Sequence, residues 1–574
     1  MLPYAKYFPL LFPIILLLLG YFHPISALNQ DLGRHLLTGQ IITQTLQIPS
    51  TNLFSYTYPE FPFINHHWFS EVVFSAITSV SGYPGLFIFS LLLIVSAFGL
   101  VLSTAANTGR IIPLAFLAII YLRILFERTD LRPELLSFLF MSLMITILYR
   151  YREKYTRLIV LLIPLQLLWT NSHIYFPIGI LVTVLFAIDL GFLHRKNLRT
   201  TQIKLLIITL FGMGLVTLIN PHGLTGALYP FTVMQNYGYT IEENQTPFFL
   251  QSLGFVKPSL LYLEIALLIL FSSLLATIKR FRLIDWLLAT VFSAIALSAV
   301  RNFPLFVFAT LIPCSYAVST CISSFSNREK QSKPLMKYLA LTCLLLFFCW
   351  QARAVVAMNP IGYGVHEDAK AALDFVKKEG LKGSIFNNFD IGSYIESRLY
   401  PDEKVFIDGR PEAYPASFIK NVYIPMQEDK ALFASLSNKY NFNTIIFSHT
   451  DQTPWGEQFV NTIVQDDTWR TVYLDPTIIV LVKNIPKNES LIKRFSLAQS
   501  LSMTLPDDER LLRQAAHFYS ITSQTISLEK VISLLLQRSP NNCQLLNAMM
   551  SMYAKDNHPS TEIYQARYRM HCSD

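Results

Sequence analysis

Charge is what this sequence has least of: only 15% of its 574 residues are Asp, Glu, Lys or Arg, while 52% are hydrophobic. With a positive mean hydropathy, so little charge excludes a soluble enzyme of this size and points to a polytopic membrane protein. Cysteine is scarce as well, with six in all. Cys314, Cys321, Cys343 and Cys349 fall in apolar runs, and Cys543 and Cys572 lie near the end of the chain; none has CxxC or zinc spacing, so no metal framework is implied. The last pair would be able to form a disulfide if that end is exported. A P-loop is missing, as is a GxGxxG after a strand, so nucleotide-driven chemistry has no motif to rest on. The net charge of +8 suggests a nucleic-acid partner until it is divided: residues 361–574 hold 22 Lys+Arg against 25 Asp+Glu, leaving 24 against 13 before them. The basicity belongs to the membrane half and marks loop sides, which excludes nucleic acid.

Apolar runs long enough, or nearly so, to cross a hydrocarbon core of ~30 Å start near Phe8, Pro84, Ile111, Leu131, Leu158, Phe176, Ile203, Pro258, Leu283, Phe303 and Tyr338, about eleven in all. The first lacks a small-residue cleavage site and carries Pro9 and Pro13, so it reads as a retained helix instead of a signal peptide. Basic loops (Arg110; Arg150, Arg152, Lys154 and Arg157; Arg195, Lys196, Arg199 and Lys204; Lys279, Arg280 and Arg282; Arg328, Lys330, Lys333 and Lys337) alternate with acidic or His-rich ones. The positive-inside rule makes these cytoplasmic, with Lys6, and so predicts a cytoplasmic amino terminus and extracytoplasmic carboxy-terminal domains in an inner or plasma membrane. The expected architecture is a transmembrane domain over 1–355 with an external loop at 27–68. An α/β domain follows over 361–485, where SIF, KVFID, NTIIF, RTVYL and TIIVLV read as strands between helical patterns such as Asp368–Lys378. A helical tail over 491–574 completes it, its RSPNNCQLLNAMMSMYAKDN stretch having a tetratricopeptide-like pattern.

That topology gathers the polar residues that look misplaced in a membrane protein on the outer side. They are Asp31, Arg34, His35, Asn65, His66, His67, Glu71, Arg123, Arg128, Asp130, Arg132, Asn171, His173, Asn220, His222 and Arg301. Ionisable groups at membrane depth are expensive and tend to line cavities, so their convergence predicts a buried polar site. Outside the membrane no nucleotide sugar or ATP is at hand, so the energy must come with the substrate. A lipid-phosphate-linked sugar meets that need: its leaving phosphate wants Arg or His donors and the acceptor hydroxyl wants a carboxylate base. Asp31 is the candidate base, and Arg34, His35, Arg132 and Arg301 are candidates for the phosphate. His66, His67, Asn171 and His173 are candidates for substrate binding. Asp408 and Arg410, in the turn FIDGRPE of the outer domain, join them because loops after strands often carry ligand groups.

Each residue also has a structural reading. Asp31 and Arg34 make an i, i+3 pair able to staple a helix. His66 and His67 flank the interfacial anchor Trp68, Asn171 and His173 can satisfy helix ends, and Asn220 to Gly223 is a natural turn. Asp408 and Arg410 can pair with each other, and Asn387, Asn388 and Asp390 read as the cap of a short helix.

Several stretches resemble the GT-C superfamily of polyprenyl-phosphate-dependent glycosyltransferases, and more closely a group of bacterial multi-pass proteins in that mould. They are DLGRHLLTG, IPSTNLFSYTYPEFPFINHHWFSE, LRPELLSFLF, LWTNSHIYFPIG, INPHG and RNFPLF, with GSIFNNFDIGSYI and KVFIDGRPEAYP in the outer domain, so the resemblance spans roughly residues 1–485. It implies a polyprenyl-phosphate sugar donor, an extracytoplasmic glycan, lipid or protein acceptor, a functional acid at Asp31, and room for a divalent metal. Many members carry a second acid in the first external loop. Gln30 stands beside Asp31 here, so the second acid is expected to be Glu71. The alternative from a different class is a non-catalytic membrane protein that binds or assembles through its outer domain. A transporter ranks behind both, because the polar groups gather at one face and no inverted repeat is evident.

Overall fold

The computed structural model describes residues 5–28, 31–195, 201–233, 237–326, 334–358, 361–497, 501–555 and 560–572. Gln30 lies outside the described residues, as do Lys196, Arg199, Arg328, Lys330 and Lys333 of the basic loops. The chain forms two compact units, and both are discontinuous in sequence. One holds Met1–Ser26, His35–Ser50 and Ile64–His366; the other holds Ala27–Arg34, Thr51–Phe63 and Glu367–Asp574. Two segments of the expected external loop thus pack with the domain that begins at Glu367.

The first unit is helical because backbone polar groups in hydrocarbon must bond within their own segment. Each apolar run of the sequence lies in a helix. Trp68–Thr108, Glu134–Glu153, Pro258–Ala276, Val300–Ser324 and Leu335–Met358 are long and apolar enough to cross a membrane; Lys6–Tyr21, Ile111–Leu125, Arg157–Ser172, Pro177–Leu193, Thr201–Val216 and Leu283–Ser298 are shorter apolar helices. The 41-residue helix Trp68–Thr108 leaves helical geometry at Gly82, two residues before Pro84, so it is two helices joined by a kink. Ile111–Leu125 is short because it is wrapped by others: Leu114, Ala118, Tyr121, Leu122 and Leu125 are fully buried. Tyr121 stacks on Phe306 at 5.6 Å and Phe138 on Phe308 at 5.4 Å. Leu335–Met358 instead leaves Leu335, Met336, Tyr338, Leu346 and Trp350 exposed, an apolar surface that water would penalise and lipid would not. A parallel pairing of β1 (Ile25–Ser26) with β2 (Val365–His366) joins the two ends of this unit.

The second unit has a four-stranded mixed sheet in the order β3 (Ser384–Asn387), β4 (Phe442–Ser448), β6 (Ile478–Lys483), β5 (Trp469–Leu474). β3 and β4 are parallel and the other pairings antiparallel. Phe386 centres its core, with Phe406, Phe433, Phe442 and Phe459 all within 5.1–5.4 Å. KVFID, expected as a strand, is not part of the sheet. Val405 makes only an isolated bridge to Ser55, and Asn387 Oδ1 accepts from the Phe406 amide at 2.9 Å, so side chains and the loop serve backbone groups that a ladder would have served. Asn387 and Asn388 do not cap the helix Phe389–Leu399 through their side chains. Asn387 Nδ2 donates to Ile407 O at 2.7 Å and Asn388 Nδ2 to Asp451 at 3.0 Å, which makes them cross-links between loops.

Four helices, Glu509–Ile521, Thr525–Arg538, Cys543–Lys555 and Ser560–Cys572, follow as antiparallel neighbours, and a disulfide joins Cys543 to Cys572. Non-reducing peptide mapping of the purified chain is expected to recover these two cysteines in one linked species. Replacing both by serine is expected to destabilise the last hairpin by roughly 2–4 kcal/mol, visible as faster amide exchange over Cys543–Lys555. Two alkylatable thiols at Cys543 and Cys572 in the native protein would contradict the pairing.

Candidate functional site

Asp31 belongs to the second unit, as do Arg34, Asp408 and Arg410. It sits just before the helix Leu32–Thr45 with φ at 52°, a conformation that short polar residues tolerate better than most. Its Oδ1 accepts from Ser393 Oγ at 2.6 Å, and its Oδ2 lies 3.8 Å from Arg34 Nη2, with 28% of the side chain exposed. A Cβ at position 409 would stand 2.4 Å from Asp31 Oδ1, so a larger residue in the 408–410 turn would have to push this carboxylate aside. Neither Ser393 nor Gly409 was singled out in the sequence; both fall in stretches that carry the family resemblance, but the one reads as a mid-helix residue and the other as an ordinary turn glycine.

Asp408 and Arg410 turn toward each other. Arg410 donates from Nε at 2.8 Å and from Nη2 at 2.7 Å to the Asp408 carboxylate, which also accepts from Tyr414 at 2.9 Å. Arg410 Nη2 reaches Asn52 Oδ1 at 2.8 Å, and its guanidinium lies over the Phe54 and Phe63 rings. Burial would raise Asp408, but Arg410 outweighs it and holds the carboxyl at about 2. Buried Glu396 lies against Asp408, and two carboxyls in contact need one proton between them. Burial, with Asp408 beside it, pushes Glu396 well above the carboxylate range, so Glu396 carries that proton. The Arg34 guanidinium faces Glu396, Asp408 and Glu412 as well as Asp31.

The first unit holds His35, His66, His67, Glu71, Arg132, Asn171, His173 and Arg301. Glu71, in the first turn of Trp68–Thr108, is wholly buried; His35 Nδ1 meets its Oε1 at 2.9 Å and Asn65 Nδ2 donates to its Oε2 at 2.7 Å. A Cβ on Gly39 would come within 2.0 Å of the Glu71 carbonyl, so glycine there brings the helix carrying His35 against the helix carrying Glu71. The imidazoles form a chain: His35 to His67 at 5.3 Å, His66 to His67 at 3.9 Å, His67 to His173 at 5.3 Å between ring centres. His173 Nδ1 pairs with Ser137 Oγ at 2.9 Å, and Ser137 accepts from Trp169 Nε1 at 2.8 Å. Burial, with His66, Arg301, Arg128 and His35 nearby, keeps His173 well below the ordinary histidine range and therefore neutral. Asn171 does not pair with His173. It accepts from Trp68 Nε1 at 2.8 Å, donates to Ile219 O at 2.9 Å, and borders a mainly apolar cavity of about 420 Å³.

Arg132 and Arg301 sit with a third arginine. Arg128 is gripped by Glu134 through Nε at 2.8 Å and Nη2 at 2.9 Å, and its Nη1 meets Glu243. Arg132 Nη1 lies 3.6 Å from Glu243, and Arg301 Nη1 donates to Asn244 Oδ1 at 2.8 Å. Burial would raise Glu243, but Arg128, Arg132 and Arg301 outweigh it and hold it at about 2, ionised throughout the physiological range. Glu243 had no sequence signal beyond a pair of adjacent acids in a loop.

Among the described residues no three His, Cys, Asp or Glu side chains converge as a bound metal would need. Asp31 is engaged with Ser393 and Arg34, and Glu71 with His35 and Asn65, so these donor sets do not fit a divalent ion. The second unit does carry a pH signature. Burial, with Asp451 and Asp31 close by, pushes Asp390 up to about 7. A carboxyl raised on folding contributes stability below its unfolded value, near pH 4, and loses it as pH rises through about 7. Thermal unfolding of this unit is therefore expected to occur at lower temperature as pH rises from about 4 to 7, and Asp390→Asn is expected to flatten that part of the profile; an unchanged slope in the variant would contradict the assignment.

No protein-family model matches the sequence, and no curated protein matches it. Solved structures do. The chain is similar to the archaeal oligosaccharyltransferase AglB from Archaeoglobus fulgidus in complex with an inhibitory peptide and a dolichol-phosphate, with a TM-score of 0.56 and 11% identity over 93% of this chain and 87% of that one. The apo form of the Archaeoglobus fulgidus enzyme gives 0.56 at 12% identity over 80% and 71%, and its complex with Zn and sulfate gives 0.53 at 11% over 90% and 83%. At such identity the likeness is one of fold: the chain shares the fold of these oligosaccharyltransferases, in keeping with the resemblance read in the sequence.

Proposed function

We propose that this protein is a membrane glycosyltransferase that moves a sugar from a polyprenyl-phosphate donor to an extracytoplasmic acceptor, with Asp31 as the base. The observation that carries the reading is the GT-C fold, matched over 93% of the chain to a protein whose structure holds a dolichol-phosphate. The state of Asp31 supports it: one oxygen is fixed by Ser393 and the side chain keeps 28% exposure, so the carboxylate is oriented yet reachable by an acceptor hydroxyl.

In this mechanism Asp31 takes the acceptor proton as the acceptor oxygen bonds to the anomeric carbon and the carbon–oxygen bond to phosphate breaks. A single displacement of this kind inverts the anomeric centre. Arg132 and Arg301 meet the charge that develops on the leaving phosphate, where positioned cations contribute most. His35, oriented by the Glu71 carboxylate, assists them. Arg34, facing four acids of its own unit, holds Asp31 in place. His66, His67, Asn171 and His173 orient the sugar and the acceptor. Asp408 and Arg410 support the base: their pairing fixes the turn that sets Gly409 against Asp31. The plasma membrane is the proposed location, with the amino terminus cytoplasmic and the carboxy-terminal domains outside.

Purified full-length protein in lipid nanodiscs, given a radiolabelled polyprenyl-phosphate sugar with water or an added hydroxyl compound as acceptor, is expected to release polyprenyl phosphate as the sugar passes to that acceptor. Asp31→Asn is expected to lower turnover by roughly 10²–10⁴-fold with donor affinity kept, the range for losing a general base. Equal turnover by wild type and variant would remove Asp31 from the chemistry. A cellular phenotype that survives Asp31→Asn but is lost on deletion of the second unit would favour the binding-module alternative.

A further inference from the structure

Arg128 and Arg132 lie in the loop between the helices Ile111–Leu125 and Glu134–Glu153, and Arg301 lies in the short turn Val300–Asn302 before Phe303–Ser326. Two separate segments thus send three guanidinium Nη1 atoms to two consecutive residues, Glu243 and Asn244, in the short turn Glu242–Asn244. We propose that Arg128, Arg132 and Arg301 form one anion site whose resident occupant is Glu243, and that a phosphate ester displaces Glu243 when it binds. This rests on the reading of the donor as a phosphate-linked lipid and adds what stands in its place beforehand.

A plain structural ion pair explains the arrangement less well. Arg128 already has a two-pronged partner in Glu134, at 2.8 and 2.9 Å, so Glu243 is not needed to neutralise it. Arg301 is partly buried, yet its side-chain hydrogen bonds go to neutral groups, Asn244 Oδ1 at 2.8 Å and Tyr175 OH at 3.2 Å, with its guanidinium 5.7 Å from the Tyr175 ring. A cation so placed gains more from an ionised oxygen than from an amide. A phosphodiester donor would match the single charge of Glu243 and the polyprenyl monophosphate it releases would bring up to two, with enough oxygens for three guanidiniums. The segment that must yield is lightly fastened: Gln245 O accepts from the Val300 amide at 3.0 Å, and Lys257 pairs with Glu242 at 2.6 Å. A cavity of about 220 Å³, bordered by Arg128, Glu242, Glu243 and Lys257, lies beside it to receive a displaced side chain or the headgroup.

The test uses the full chain in nanodiscs with three probes: a polyprenyl monophosphate, the corresponding polyprenol, and inorganic phosphate. Glu243→Gln removes the competing charge and keeps the shape, and is expected to tighten polyprenyl phosphate binding by roughly tenfold or more while leaving polyprenol binding unchanged. Glu242→Gln, which touches only the Lys257 grip, is expected to change it little. In the wild-type chain, polyprenyl phosphate is expected to speed amide exchange over 241–246, a readout that needs no variant. Competition by inorganic phosphate in Glu243→Gln would place the recognition in the phosphate itself; its absence would place it in the lipid-borne headgroup, with Glu243 still the occupant. Wild type that binds polyprenyl phosphate while Glu243→Gln binds equally or more weakly, with 241–246 unmoved, would overturn the proposal and leave the donor reading intact. Failure of both proteins to bind polyprenyl phosphate would overturn the donor reading itself.

Discussion

A charge withdrawn from water must meet its opposite or a full set of hydrogen bonds, and that demand organises both units of this protein. Glu71 is sealed by His35 and Asn65, Arg128 by Glu134 and Glu243, and Asp189 by Arg152 at 2.6 Å and the Ile284 amide at 3.0 Å. In the second unit Asp408 is met by Arg410 and Tyr414. Removing one member of any such set leaves an uncompensated buried charge, which costs on the order of 3–5 kcal/mol. The pairs also position one another: the turn that carries Asp408 and Arg410 is the turn that brings Gly409 to Asp31.

Against that background the informative groups are those not fully sealed. Asp31 has a strong hydrogen bond on one oxygen and a looser ion pair on the other, and keeps more of its surface than the acids around it. Arg301 is partly buried, and its side-chain hydrogen bonds go to neutral partners. A side chain held in place but not saturated retains interaction energy for a ligand, which is the state expected of groups that stabilise a transient charge. His173, kept neutral by burial and the cations around it, adds hydrogen-bonding capacity without adding net charge, a suitable lining for a sugar.

Much of the membrane unit was legible in the sequence because a bilayer admits few solutions: long apolar runs become helices whatever their neighbours do. The outer domain was legible only in part. NTIIF, RTVYL and TIIVLV became strands, but KVFID, with the same β-branched and aromatic character, did not, because the Asn387 side chain and the Ser55 region took its backbone hydrogen bonds. The site divides along the same line. Asp31, His35 and Glu71 stood out as ionisable residues beside apolar runs, which is a one-dimensional signal. Ser393, Gly409 and Glu243 act on residues distant in the chain, Ser393 bonding to Asp31 across 362 positions, and nothing in their local sequence announces it. The Asp408–Arg410 pair was visible as two alternatives, and only the geometry shows how fully each satisfies the other.

The central claim is a single displacement at the anomeric carbon with Asp31 as the base, and stereochemistry tests it most directly. Proton NMR of the transferred sugar, made from a donor of known anomeric configuration, reads the coupling constant at the new linkage. Inversion relative to the donor is the result the account predicts. Retention would contradict it, because two successive displacements require a covalent sugar intermediate and a nucleophile in place of a base.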